Sequence, residues 1–308
     1  MHLVKLTDRS FSIMMVQRAR RNGVPFINDF SHGTSKDKIV AAFQTYAHVS
    51  RLTVHHSTAI SVLAIMHEDI CQVAEDKKVE MIILPFHKQW MGEGEAATEN
   101  VGHGWRGVNQ EVLETAPCTV AVLVDRGFGG SDMGGGTTMT IATKRVCVLF
   151  LGGADDRGAL ELGSLMAEHP TVSVTVIRFL VTDQSGSTVS SSSNSLSDTL
   201  EKNKSEKEMD EAALEDFKRK WNESVEYVEK EVNSITEVKT IGQSRGFELT
   251  VVGKGSCLAD HQMEHSELGL IGDILASSEH CIIPSALVIR QAKFPEPTRS
   301  QPQGGHAR

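Results

Sequence analysis

The chain has 308 residues, of which 40% are hydrophobic and 23% are charged. This balance is typical of a globular protein, and the length leaves room for two domains. The formal net charge of −9 repels phosphate backbones, so nucleic acid is not an expected partner. The five cysteines are irregularly spaced and predict neither a metal-binding pair nor a disulfide framework. No apolar run reaches the roughly 18 residues that a membrane helix needs.

The first half of the chain alternates short apolar strands with amphipathic helices, a pattern that predicts a parallel sheet covered by helices. Strands are predicted at residues 2–6, 52–54, 79–86 and 119–124. Helices are predicted at residues 68–77 and 105–116, and an earlier one near residue 35, where apolar side chains recur at helical spacing. Residues 126–144 are rich in glycine, serine and threonine, which predicts a linker.

The second half repeats the alternation. Strands are predicted at residues 146–151, 172–180, 225–232, 249–252 and 285–289. Helices are predicted at residues 155–168, 235–241 and 268–278, and a charged helix at Met209, Ala213, Phe217 and Trp221. Residues 182–206 are serine-rich and almost without apolar side chains, so we expect a disordered surface loop there.

Residues 75–124 and 244–289 follow the same order of strand, glycine-bearing loop, helix and closing strand. This repeat predicts an α/β fold with two doubly wound parallel-sheet modules, at residues 1–125 and 145–291, and a disordered tail at residues 292–308. Two separate modules are favoured over one large sheet. The first module lacks the strand and helix that open the second. We therefore expect Met1 to lie inside a longer protein, or the chain to be a truncated product.

Several uninterrupted stretches resemble the cytosolic tail of plant cation/proton exchangers of the CHX group, in the monovalent cation:proton antiporter-2 family. They are residues 66–71 (MHEDIC), 82–88 (IILPFHK), 100–106 (NVGHGWR), 116–127 (APCTVAVLVDRG), 152–157 (GGADDR) and 268–277 (LGLIGDILAS). The resemblance runs in order along essentially the whole chain.

The resemblance implies a tail of paired universal-stress-protein-like folds that regulates a membrane domain exchanging K⁺ or another monovalent cation for protons. The implied partner is that membrane transport domain, with a homodimer as a further option, and the implied location is the cytosolic side of an endomembrane or the plasma membrane. No intramembrane carboxylate is present to carry protons, so we expect a regulatory region and not an enzyme or a transporter by itself. The alternative is a free-standing universal-stress-type nucleotide-binding protein.

A nucleotide site of the universal-stress-protein type would use backbone N–H groups at glycine turns and at a helix N-terminus. In the second module the matching positions are Asp155, Gly253, Gly255, and Gly269 or Gly272. Asp273 follows Gly272 where a hydroxyl would favour phosphate, and its negative charge repels such a ligand. Turn glycines without a ligand are therefore the favoured interpretation, and no cofactor is expected, with a nucleotide as the lesser alternative.

The 13 histidines raise the question of a metal or pH-sensing site. His55 and His56 alternate across a strand, and His261 and His265 lie in a polar segment that does not predict a helix, so no metal site is expected. A pH-sensing histidine is plausible chemistry, but the sequence selects none. No catalytic residue is expected either, since Cys118 and Cys281 precede apolar strands where a buried, unreactive thiol is usual.

Overall fold

The structure is a computed structural model and describes the following residues: 1–8, 47–48, 53–89, 98–99, 104–126, 143–181, 193–232, 237–238, 240, 246–255, 263–277 and 284–292. The chain divides into two compact units, Met1–Val73 and Ala74–Arg308. Each unit is described by itself. The module boundaries expected from the repeat stay a prediction.

In the first unit, strand β1 (His2–Asp8) pairs in parallel with strand β2 (His55–Ser61). A 3-10 turn at Leu63–Ile65 leads into helix α1 (Met66–Lys77). The buried hydroxyl of Ser61 donates a hydrogen bond of 2.7 Å to the Asp69 carboxylate, which ties the end of β2 to the first turn of α1. The strand expected at residues 52–54 begins later, at His55, because the register with β1 fixes where the ladder starts. Of the helix expected near residue 35, only Ala47 and His48 are described, and both are helical.

The second unit contains a short antiparallel pair and a seven-stranded sheet. The pair is β4 (Lys88–Gln89) with β5 (Thr98–Glu99). The sheet is made of β3 (Met81–Pro85), β6 (Thr119–Val124), β7 (Lys144–Phe150), β8 (Val172–Val181), β9 (Glu226–Val232), β10 (Leu249–Gly253) and β11 (Ser285–Arg290). Its strand order is β3-β6-β11-β10-β7-β8-β9. All neighbours are parallel except β6 and β11, which are antiparallel.

The closing strands of the two repeats therefore join the repeats into one sheet. Val122 of β6 lies opposite Val288 of β11, and Leu123 lies opposite Leu287. Every residue of β11 is buried. Two separate sheets were expected, and that expectation is wrong because two apolar closing strands left as sheet edges would expose both their side chains and their backbone groups. The mostly parallel α/β class is confirmed.

Among the described residues of this unit, the longer helices are α2 (Trp105–Thr115), α3 (Ala154–Ala167), α4 (Ser193–Trp221) and α5 (Gly269–Ser277). Helix α3 approaches the sheet closely at Gly163, where an added Cβ would lie 2.6 Å from Cγ2 of Val148. The fully buried side chains of Phe150, Val176 and Val251 belong to the core beneath it.

Helix α4 corrects the expectation of a disordered loop at residues 182–206, because the chain is helical from Ser193 onward. Composition alone does not predict ion pairs between distant residues, such as the one between Arg157 on α3 and Glu206 on α4, which are 2.9 Å apart. Leu214 and Phe217 form its buried face, whereas Met209, expected on that face, is exposed. Residues 182–192, most of the helix expected at 235–241, and residues 293–308 lie outside the described part of the chain.

Candidate functional site

Three of the expected nucleotide-like residues, Asp155, Gly253 and Gly255, lie together at the N-terminus of α3, where aspartates fill the space beside the glycines. The Asp155 carboxylate accepts a 2.7 Å hydrogen bond from the backbone N–H of Gln291. An added Cβ on Gly255 would lie 2.8 Å from Oδ2 of Asp155. The N–H of Gly253 donates to Oδ1 of Asp156 at 2.8 Å. These glycines therefore allow close approach of two aspartates.

Gly269 and Gly272 also have packing reasons to be glycine. Gly269 has φ of 66°, and a Cβ there would collide with the carbonyl oxygen of Lys254. Gly272 faces the sheet, where a Cβ would lie 2.7 Å from Cγ2 of Val288. A nucleotide site built from Asp155 and these four glycines stays a prediction, and the packing accounts for every glycine without it.

A different cluster is buried in the second unit and is formed by His87, His265 and Glu267. His87 is 6% exposed, and His265 and Glu267 are each 2% exposed. Each of the three side chains offers one possible ligand atom, a ring nitrogen or a carboxylate oxygen, and these three atoms all lie within 4.8 Å of one another. We call this group the His–His–Glu cluster. The chain positions of its members, 87 against 265 and 267, mean that both repeats contribute to it.

His87 is placed by the end of strand β3. The Phe86 N–H donates to the carbonyl of Leu123 at 2.9 Å, and the Asn109 side chain donates to the carbonyl of Pro85 at 2.9 Å. Helix α2 and strand β6 thus both hold the backbone just before His87. The Phe86 ring also meets the His265 ring edge-on, with 5.1 Å between their centroids.

His265 and Glu267 are placed by the segment that leads into helix α5. The buried Asp273 carboxylate accepts hydrogen bonds from the N–H groups of His265 at 2.8 Å and Glu264 at 3.1 Å. A residue expected only to repel phosphate therefore has a second, observed role. It reaches back from α5 and fixes the backbone that presents the His–His–Glu cluster.

Two cations and a further carboxylate border the cluster. The Lys88 ammonium lies 2.7 Å from Oε1 of Glu264 and 3.0 Å from Nε2 of His265. Nε of Arg106 lies 3.3 Å from Oε2 of Glu267, and its guanidinium also donates to the backbone carbonyl of Glu264. The bond from Lys88 lowers the pKa of Glu264. The charges of Lys88 and Arg106 are thus matched by those of Glu264 and Glu267.

Inside this border, four polar atoms have no hydrogen-bond partner among the described residues. They are both ring nitrogens of His87, Nδ1 of His265 and Oε1 of Glu267. Nδ1 of His87 and Nδ1 of His265 lie 3.5 Å and 3.8 Å from that same Oε1. Buried polar groups are nearly always paired because desolvation without a partner costs free energy. Unpaired buried atoms from three neighbouring side chains therefore indicate a site.

Burial favours the neutral form of both imidazoles. Burial lowers the pKa of His87, and the neighbouring cations Arg106 and Lys88 act in the same direction. Burial likewise lowers the pKa of His265, with Lys88 adding to the effect. A neutral imidazole has a free lone pair, so the cluster can accept a proton or coordinate a metal ion. No metal site was expected from the sequence, because His87 and His265 become neighbours only in the folded sheet.

Comparison with known proteins agrees with the family resemblance. A family model described as "Plant cation/H(+) antiporter domain" matches residues 1–128, and one described as "Plant cation/H(+) antiporter, C-terminal domain" matches residues 143–290. Cation/H(+) antiporter 20 of Arabidopsis thaliana is 50% identical over 94% of this chain and 38% of its own length. Cation/H(+) antiporter 19 of the same plant is 40% identical over 94% of this chain and 35% of its own length.

Among solved structures, a universal stress protein from Archaeoglobus fulgidus DSM 4304 aligns over 94% of this chain and 96% of its own chain, with 11% identity and a TM-score of 0.40. A score of this size carries no weight for the fold.

These matches define the class as domains found in plant cation/proton antiporters. The chain belongs to the plant cation/H⁺ antiporter family. It spans a little over a third of the length of three of the curated relatives that it matches. In the part of the chain that the structure describes, no helix has both the length and the hydropathy to cross a membrane.

Proposed function

We propose that this chain forms the cytosolic regulatory region of a monovalent cation/proton antiporter that exchanges K⁺ and contributes to pH homeostasis. The membrane transport domain of the parent antiporter is then its main partner, and a homodimer is a further arrangement of the assembly. The observation that carries this proposal is the match of two consecutive antiporter domain models, which together span residues 1–128 and 143–290.

The buried His–His–Glu cluster supports a role in signalling over one in transport. A transport path needs a route across the bilayer, and none of the described helices can span one. The cluster instead joins segments of both repeats, since His87 comes from the first and His265 and Glu267 from the second. A change in what occupies the cluster would therefore alter how the two repeats are held together.

A catalytic role is not proposed. Cys147 is fully buried within β7, and burial raises the pKa of its thiol to about 12. Such a thiol is not a nucleophile at neutral pH. The carboxylates of Asp155 and Asp156 are engaged with backbone N–H groups of Gln291 and Gly253, which leaves them poorly placed to act as bases.

The regulatory role is testable in a full-length relative. In Cation/H(+) antiporter 20, the region matched by this chain would be deleted or replaced by this chain, and K⁺/H⁺ exchange would be measured in membrane vesicles across a range of cytosolic-side pH. We expect the replacement to restore the pH response of the intact protein and the deletion to retain exchange without that response. A matched control carries this chain with Gly269→Ala, which disturbs its fold.

Equal pH responses in the intact, deleted and replaced proteins would contradict the proposal. Calorimetry with ATP and AMP addresses the nucleotide-binding alternative. Micromolar binding that is lost on changing Asp155 and Gly253 would favour a free-standing nucleotide-binding protein instead.

A further inference from the structure

We propose that the His–His–Glu cluster is a binding site for a divalent transition-metal ion, with Zn²⁺ as the best match, coordinated by His87, His265 and Glu267. The proposal rests on geometry in the second unit alone. It is independent of the regulatory function and would hold even if that function were refuted.

The distances are close to those of a coordinated ion. Zinc–nitrogen and zinc–oxygen bonds of about 2.0 to 2.2 Å in a tetrahedron place neighbouring ligand atoms about 3.4 Å apart. The two imidazole Nδ1 atoms lie 3.5 Å and 3.8 Å from Oε1 of Glu267. These contacts are too long to be good hydrogen bonds. A nitrogen of one ring lies within 4.8 Å of a nitrogen of the other, so coordination would require the two rings to approach each other by at most about 1.4 Å.

The ligand types suit this class of ion. Two neutral imidazoles and one carboxylate are ligands of Zn²⁺ and of related first-row metals, whereas Mg²⁺ and Ca²⁺ prefer oxygen alone. Coordination uses the lone pair of a ring nitrogen. Both ring nitrogens of His87 and Nδ1 of His265 are buried and have no hydrogen-bond partner among the described residues.

The surroundings include a group that would support a metal-bound imidazole. In the structure the Lys88 ammonium, 3.0 Å away, donates to Nε2 of His265. Coordination through Nδ1 would place the ring proton on Nε2, so Lys88 would have to turn away, and Oε1 of Glu264, 3.4 Å from Nε2, would accept the new hydrogen bond. Metal-ligating histidines usually make such a bond to a carboxylate or a carbonyl, and it fixes the orientation of the ring. Asp273 adds rigidity because it holds the backbone of both Glu264 and His265.

Two cationic side chains next to the cluster oppose the binding of a metal ion. Lys88 lies 3.0 Å from Nε2 of His265, and Arg106 lies 3.3 Å from Oε2 of Glu267. Their charges repel a cation, although Arg106 occupies the other oxygen of Glu267 and leaves Oε1 facing the rings. The charged groups that border the site are Lys88, Arg106, Glu264, Glu267 and Asp273. With all carboxylates ionised, their net charge is −1, which a divalent ion changes to +1.

An ion at this position would link the two repeats. His87 lies at the end of β3, while His265 and Glu267 lie just before α5, and the sheet brings these segments together through β6 and β11. Because an ion that binds only the folded state adds to its stability, metal should raise the unfolding midpoint of the whole second unit.

The test uses the purified 308-residue chain after treatment with a chelator. Titration with Zn²⁺ is followed by calorimetry, and titration with Co²⁺ by its visible absorption, which reports nitrogen and oxygen coordination. We expect one ion per chain at this site. The loss of a group that only hydrogen-bonds a metal ligand weakens metal binding by roughly 10- to 100-fold. The single ligand variants His87→Gln, His265→Gln and Glu267→Gln should each weaken binding by more than that.

Matched controls use histidines elsewhere. His169→Gln changes an exposed histidine whose ring contacts Thr171, and His55→Gln changes a histidine of the first unit. Neither should alter the affinity. Circular dichroism and unfolding midpoints of each variant without metal establish that it is folded.

Two border variants keep the test decisive if a ligand variant fails to fold. Glu264→Gln should weaken binding by about 10- to 100-fold. Arg106→Gln removes a repelling charge and should tighten binding by at least about fivefold. The proposal is overturned if the chain binds no Zn²⁺, if His55→Gln removes the binding, or if Arg106→Gln and Glu264→Gln leave it unchanged.

Discussion

Asp156 is the residue whose replacement tests most directly how the second unit is held together. Its side chain is 1% exposed and lies at the start of α3. Oδ2 accepts hydrogen bonds from the N–H groups of Leu151 at 2.8 Å and Gly152 at 2.9 Å, and Oδ1 accepts one from Gly253 at 2.8 Å. One carboxylate therefore joins the ends of β7 and β10 to a helix.

The magnitude follows from the N–H groups that each variant leaves unpaired. A buried donor without an acceptor costs about 1 to 3 kcal/mol. Asp156→Ala removes both acceptor oxygens and so leaves three N–H groups without their acceptor; the bond to Gly253 is buried and those to Leu151 and Gly152 are partly buried. We therefore expect a loss of about 2 to 5 kcal/mol in the free energy of unfolding. Asp156→Asn keeps one oxygen for Leu151 and Gly152 but turns an N–H₂ group toward Gly253, so its loss should be about 1 to 3 kcal/mol.

The assay is equilibrium unfolding in urea with linear extrapolation to water, monitored by circular dichroism. Asp216→Asn is the matched control, because Asp216 is exposed on α4 and pairs with Arg219 at the surface. Its change should stay within about 0.5 kcal/mol. The wild type should be the most stable, Asp156→Asn intermediate and Asp156→Ala the least stable. A loss below about 1 kcal/mol for Asp156→Ala would refute the view that its bonds are structural.

Three further predictions concern the same unit. Gly269→Ala should lower the free energy of unfolding by more than about 2 kcal/mol, because φ at this position is positive and the new Cβ would meet the Lys254 carbonyl. Gly107→Ala, where no atom lies near the new Cβ on α2, should raise it by up to about 1 kcal/mol. Unfolding in urea measures both changes, and equal effects of the two variants would contradict the reasoning. The Cys147 thiol should resist a thiol reagent in the native chain and react after unfolding, since burial raises its pKa to about 12; native reaction would show that β7 opens. Val122→Ala at the β6–β11 junction should lower the free energy of unfolding by about 1.5 to 3 kcal/mol, and both repeats should still unfold in a single transition in urea. Two resolved transitions would disprove a shared sheet.

Much of the fold could be predicted because its signals are local. The apolar run of β6 and the turn at Pro117 set a strand whose observed bounds, Thr119–Val124, equal the expected ones. Helix α2 begins at Trp105 as expected and ends one residue early, at Thr115. Periodicity and turn residues act over a few positions, so one segment of sequence carries enough information to predict these elements.

The start of α4 could not be predicted in this way. Serine-rich composition suggests that residues 193–206 bury too little to fold, yet the helix begins at Ser193. Ion pairs to a distant residue support it, as between Arg157 on α3 and Glu206. Composition describes a segment alone, whereas this stabilisation comes from a neighbour about fifty residues away in sequence.

By itself, the sequence determined the α/β class, the internal repeat and the family, since these rest on short-range patterns and on uninterrupted matching stretches. Only the tertiary structure decided that the repeats share one sheet and that His87 meets His265 and Glu267. The reason is physical: strand pairing and burial act between segments far apart in the chain. Whether β6 remains an edge or pairs with β11 depends on which arrangement hides more apolar surface and backbone. The His–His–Glu cluster is a consequence of that choice.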